Sequence, residues 1–146
     1  MPLTVVLESE VVIIDPHATT AAITRSFGYQ VFDTLFAMNA RAEIKPQMVE
    51  AWTTSPDGLR WDFTLRDGLT WHDGTPVLAS DCAASLRRWS RFDALGRLLA
   101  ASSVSIEADE RDTRRFAITL KEPFPLMLDV LGKPNAPVPF MMPERI

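Results

Sequence analysis

Residues 59–65 constrain the fold of this chain more tightly than any other stretch. Leu59, Trp61, Phe63 and Leu65 alternate with Arg60, Asp62 and Thr64, the period of two that sends one set of side chains to a buried face and the other toward water. Asp57-Gly58 precedes the run and Asp73-Gly74 follows it, supplying the positive-φ positions that tight turns demand. The run predicts a half-buried strand between two turns. It is scaffold, with no group placed for chemistry.

The same alternation returns at Val104, Ile106 and Ala108 and again at Phe116, Ile118 and Leu120, with Arg111-Asp112 between them. Two strands joined by a charged turn predict an antiparallel hairpin. Elsewhere the period lengthens. Ile23, Phe27, Val31 and Leu35 recur every four residues, describing an amphipathic helix with Thr19 or Thr20 as its N-cap. Ser80-Asp81 is expected to cap a second helix that carries Cys82, Leu86 and Trp89 on one face. Its late arginines, Arg87, Arg88 and Arg91, suit the negative end of a helix. Shorter helices are expected over 95–101 and 126–131, the latter with Pro125 near its first turn and Gly132 near its end.

Residues 3–7 read as a short apolar strand and 11–14 as a second apolar run, stopped by Asp15-Pro16 with an extended entry into a loop, and Pro134, Pro137, Pro139 and Pro143 predict irregular chain near the C-terminus. The sum is an α+β fold, mostly antiparallel sheet with flanking helices.

At 146 residues and 47% hydrophobic content the chain can bury the core of one ordinary domain. A net charge of −4 and an isoelectric point near 5.1, without a basic cluster interleaved with aromatics, argue against nucleic acid as a partner. No apolar run approaches the roughly 20 residues needed to span a bilayer. The first seven residues lack the basic start and apolar core of a signal peptide. The lone Cys82 forbids an internal disulfide and leaves the compartment open.

Chemistry finds little purchase. His17 and His72, beside Asp15 and Asp73, could be imagined around a metal, but two histidines about fifty residues apart lack the short ligand spacing of zinc sites, and both read as turn or surface residues. Cys82 falls on the apolar face of its helix, where a thiol packs as a small hydrophobe. Asp109-Glu110 and the pair Glu8 and Glu10 read as solvated acids rather than sheltered acid–base groups. Of the four tryptophans, Trp61 and Trp89 read as core; with Trp52 and Trp71 they could otherwise form a stacking platform. Nucleophile elbows, phosphate loops and dinucleotide fingerprints are absent from the sequence.

The order of segments carries more than any of them singly. Asp15-Pro16-His17, the stretch 31–36, Lys45-Pro46, Glu50-Ala51-Trp52, the turn 55–58, the run 61–76, Asp81, residues 85–89, residues 116–120, Pro123-Phe124-Pro125 and Met142-Pro143 together resemble the N-terminal part of the family 5 extracellular solute-binding proteins. These are the solute receptors of bacterial ABC importers for peptides, nickel and related solutes.

The resemblance implies a two-lobed α/β architecture of the type II periplasmic-binding-protein kind. Residues 1–40 would open the first lobe and 41–146 would form its family-typical extra α+β subdomain, with the hinge and second lobe absent. It implies a ligand-lining stretch at 17–22, with Thr19, Thr20 and Ala21 as contacts, and a second near 133–137, with Asn135. Helix capping is an equally good reading of the two threonines. Metal-chelate binders of the family carry an arginine near the second stretch; its absence weakens a nickel assignment.

The turn 38–42 lacks the glycine the family often has there, and Cys82 stands where an aliphatic residue is usual. The implied partners are a peptide or other small solute and a membrane ABC permease, in a periplasmic or extracellular setting, with neither a cofactor nor a metal and no bond made or broken. Half a cleft is expected to hold no solute by itself. Two rival classes remain: a small metal-dependent hydrolase using His17 and His72, and an interaction domain that self-associates through uncovered apolar surface and strand edges.

Overall fold

The alternating run becomes the second strand of a four-stranded antiparallel sheet. In the computed structural model, which describes residues 2–4, 6 and 8–146, the elements run α1 (Ala22–Val31), β1 (Asp33–Thr34), β2 (Phe36–Met38), β3 (Ile44–Pro46), β4 (Val49–Thr54), β5 (Arg60–Leu65), α2 (Ala79–Trp89), α3 (Ala94–Ser102), β6 (Ser103–Ala108), β7 (Arg115–Leu120), α4 (Met127–Leu131) and β8 (Phe140–Met141). The sheet order is β4-β5-β7-β6, and every pairing is antiparallel.

Register places Phe63 opposite Trp52 on one side and Phe116 on the other, and Trp61 opposite Ile118. The Phe63 and Phe116 rings stack at 5.0 Å. On this face α2 lays Cys82, Leu86 and Trp89, all fully buried. The core is therefore the one the two periodicities describe: a period of two on the sheet meets a period of 3.6 on the helix. Gly58 and Gly74 take φ of 73° and 82°, as their Asp-Gly turns require.

Helix α3 is capped by Asp93, whose Oδ1 accepts from the amides of Leu95 and Gly96. The 103–120 hairpin forms as the alternation predicts, with Asp109 tying its turn through the amides of Arg111 and Asp112.

Five expectations fail. Helix α1 starts at Ala22 with Ala21, not a threonine, as N-cap, because Thr19 Oγ1 accepts from the Ala21 amide and closes a separate turn ahead of the helix. It also ends at Phe32, so Leu35 joins the core from extended chain, its carbonyl accepting from Gln47. Asp81 lies inside the first turn of α2, reaching back to the Leu78 amide; the cap position is Leu78.

Residues 11–14 form no strand, nor do Leu3, Thr4 and Val6; Val5 and Leu7 lie outside the described residues. Val12 and Ile14 stand 84% and 65% exposed, without the sheet neighbours that would bury them. Finally, the proline-rich end holds a strand after all: β8 pairs with β1, setting Phe140 opposite Thr34 and Met141 opposite Asp33.

Candidate functional site

Arg88 and Trp89, consecutive residues in the last turn of α2, root the two loops, 15–21 and 133–137, that the family resemblance implies as ligand-lining. The first loop starts at Asp15. Its carboxylate accepts from the His17 amide at 3.0 Å, and Ala18 N–H closes the turn on the Asp15 carbonyl at 3.2 Å. Pro16 and His17 are buried, and residues 18–21 rise from them to half-buried and exposed positions before α1 begins. Arg88 spans this base: Nη1 donates to Asp15 Oδ1 at 3.0 Å and to His17 Nδ1 at 3.1 Å, and Nη2 pairs with Asp15 Oδ2. Upstream, Thr24 Oγ1 of α1 donates to the Ile13 carbonyl at 2.7 Å.

His17 is the most constrained of these groups. Nδ1 accepts from Arg88, so Nε2 carries the proton and donates to the Phe140 carbonyl at 3.0 Å. Burial, reinforced by the neighbouring guanidinium, pushes its pKa down to about 4. The ring is neutral at pH 7. The Arg88 hydrogen bonds hold the Asp15 carboxyl below the usual aspartate range.

The second loop, 133–137, hangs from Trp89, whose Nε1 donates to the Pro137 carbonyl at 2.8 Å. Lys133 Nζ donates to the same carbonyl at 3.2 Å and pairs with the buried Asp93 carboxylate. Tyr29 Oη of α1 reaches the Pro134 carbonyl at 3.4 Å. The Ala136-Pro137 peptide is cis, and Asn135 stands exposed at the tip.

Thr19 is half-buried, Thr20 and Ala21 are exposed, and Ala21 borders a depression of about 510 Å³ shared with Glu8 and Arg25. Asn135 does not line it. Ala21 precedes α1 while Tyr29, which bonds the second loop at Pro134, lies in its last turn, about 12 Å further along the axis. The two loops share a root at the end of α2. A second depression, about 440 Å³, opens between the end of α1 and the Trp71-His72 turn, and takes in neither loop.

The groups of the hydrolase reading do not meet. His17 is no surface histidine: it is fully buried with both ring nitrogens engaged. His72 is exposed and bonds the Val31 carbonyl through Nε2 at 2.9 Å. Among the described residues no three His, Cys, Asp or Glu side chains gather as a metal would need. Cys82 is buried, and burial raises its pKa further from thiolate chemistry. The tryptophans form no platform: Trp89 is core, Trp61 stacks on Phe63, Trp52 meets Phe36 edge to face, and Trp71 donates to Asp81.

Sequence reasoning missed the root of the site, reading Arg88 as one of three arginines suited to a helix end. Its partners Asp15 and His17 lie over seventy residues away in sequence.

Comparison with known proteins agrees with this architecture. Residues 43–145 match the model of the bacterial extracellular solute-binding proteins, family 5 (middle). The chain is 41% identical over 133 residues, 91% of its length and 24% of the relative's, to a probable peptide ABC transporter periplasmic-binding protein, y4tO, of Sinorhizobium fredii. It superposes on the murein tripeptide binding protein MppA of Escherichia coli with a TM-score of 0.77 at 23% identity, covering 95% of this chain and 30% of that one. NikZ from Campylobacter jejuni, solved in complex with Ni(L-His), superposes at 0.72 with 26% identity, covering 96% and 27%.

The chain belongs to the family 5 bacterial extracellular solute-binding proteins. It spans about a quarter of the length of the curated relatives it matches. Its mixed helix and antiparallel-sheet fold is part of the two-lobed type II binding-protein architecture. No helix among the described residues is long and apolar enough to cross a membrane.

Proposed function

We propose that this chain is the N-terminal part of a solute receptor that delivers a peptide or similar small solute to a membrane ABC permease, in the periplasm or outside the cell. Residues 1–40 open the first lobe, and 41–146 form its extra subdomain. The observation that carries the reading is the contrast within the first loop: Thr20 and Ala21 are exposed and Thr19, whose Oγ1 accepts from the Ala21 amide, is half-buried, above a base, Pro16-His17, that is buried and hydrogen-bonded. Hydroxyls and backbone groups presented on a fixed base suit the polar ends of a peptide. Asn135 offers an amide in the same manner from the second loop.

Binding proceeds by closure of a facing lobe over these loops, which buries the solute and excludes water. No bond is made or broken. Membership in a family of binding proteins and the engagement of both His17 nitrogens support this over the hydrolase. Peptide is preferred because the 41%-identical relative is named for peptides, and a nickel chelate is disfavoured because 133–137 contains no arginine.

Calorimetric titration of the complete natural protein with defined di- to pentapeptides tests the reading. Saturable binding there, and none for the 146-residue chain alone, is expected; zinc-dependent hydrolysis lost on His72→Ala would overturn it. A second reading, self-association of the chain taken by itself, draws on Val12, Ile14 and Ile146, which stand 84%, 65% and 73% exposed. Light scattering across a concentration series checks it, a strictly monomeric species counting against it.

A further inference from the structure

We propose that Arg88 is a positioning residue for the solute site: from the last turn of α2 it fixes the base of the loop that carries Thr19, Thr20 and Ala21, without touching the solute. The proposal rests on the ligand-facing reading of that loop. Its own ground is the guanidinium fork. Two nitrogens hold the two Asp15 oxygens, and Nη1 also donates to His17 Nδ1, so one rigid plane fixes both Asp15 and His17. The Nε2 bond of His17 to the Phe140 carbonyl leaves Nδ1 as the acceptor Arg88 requires.

Beyond this base the loop has one hydrogen bond of its own before α1, Thr19 Oγ1 to the Ala21 amide at 3.1 Å. Where residues 19–21 stand is therefore decided by the buried base on one side and the start of α1 on the other.

The ion pair's exposure separates position from stability. The Arg88 and Asp15 side chains are 38% and 32% exposed, and pairs screened to that degree contribute little to folding. Trp89 plays the matching part for the second loop but is fully buried in the core, so its loss would disturb everything at once. Arg88 is the member of the couple whose removal spares the packed core; its cost is local, the loss of the donor to His17 Nδ1. Lysine cannot replace it, because a single ammonium lacks the planar fork that meets both carboxylate oxygens and the imidazole.

The test compares the complete natural protein with its Arg88→Ala, Arg88→Lys and Asp15→Asn variants. Three readouts are taken: calorimetric affinity for glutathione and trialanine, melting temperature, and deuterium exchange at the amides of 18–22. Arg88→Ala is expected to weaken peptide binding about tenfold or more, with Arg88→Lys and Asp15→Asn between it and the parent. Melting temperatures should shift by no more than about 3 °C. Exchange at 18–22 should quicken while β5 and β7 hold. A parent that binds and an Arg88→Ala variant that binds equally well overturns the proposal, as does unchanged exchange at 18–22. A parent that binds none of the peptides, with faster exchange in the variant, overturns instead the ligand-facing reading of the loop.

Discussion

The four-stranded sheet and the two loops rooted on α2 are held by different physics. The sheet side is a packing problem, in which Phe63, Phe116, Ile118 and Trp89 are fully buried and fix each other by contact. The loop side is a wiring problem, in which a few directed bonds from Arg88, Trp89, Lys133 and Tyr29 set where exposed chain stands. Packing can be deleted only at the expense of the whole domain. The Arg88 bonds, on a partly exposed ion pair, can be cut with the packed core left in place.

The heaviest loss should come from the sheet side. Phe63→Ala removes the ring between Phe116 and Trp52 and should lower the unfolding free energy by about 3–5 kcal/mol, read by urea denaturation. A loss confined to the loops would contradict the division. Acid tests the wiring. The unfolded His17 imidazole titrates near 6.5 and the folded one at about 4, so between those values the unfolded chain binds more protons and stability falls as pH drops. The loss approaches roughly 3 kcal/mol by pH 4, with full stability restored above pH 6.5. Asp15, whose carboxyl is held low, adds its own loss only at still lower pH. His17→Gln should flatten the profile between pH 4 and 6.5; an unchanged slope would assign the acid sensitivity elsewhere.

A smaller effect sharpens the contrast within α2. Trp89→Phe keeps an aromatic ring in the core but deletes the donor to the Pro137 carbonyl. It should cost about 1–3 kcal/mol, with faster amide exchange at 133–137 than at 15–21. The smallest is a gain. Ala42 holds φ 59° in the turn between β2 and β3, a conformation that strains any side chain, and Ala42→Gly should stabilise by about 1 kcal/mol, seen as a higher melting temperature.

Legibility in the sequence follows the same divide. Alternation at 59–65, 104–108 and 116–120 and the 82, 86, 89 stripe predicted the sheet and its covering helix, because local period and burial coincide there. The absent glycine in the turn 38–42 was also readable, and Ala42 is the residue that bears the strain. What escaped was long-range or short in extent. The β1 and β8 pair spans two residues on each strand and sits among prolines, too brief for any period to show. His17 read as a turn or surface residue; it does lie in a turn, but nothing near it in sequence reveals that Arg88 and the Phe140 carbonyl bury it. Thr19 read as a helix cap because hydroxyls ahead of an apolar period usually are; here it closes its own turn.

The site residues themselves came from the order of motifs that marks the family, not from any pattern at Thr19, Thr20, Ala21 or Asn135. The structure contributes their bases: each tip is exposed and each base is tied to the end of α2.

Deuterium exchange of the complete natural protein, with and without saturating trialanine, tests whether the two loops rooted on α2 meet the solute. New protection is expected at residues 18–22 and at Asn135, with β4, β5, β6 and β7 unchanged. Protection that appears on the sheet, leaving both loops as they were, would contradict it.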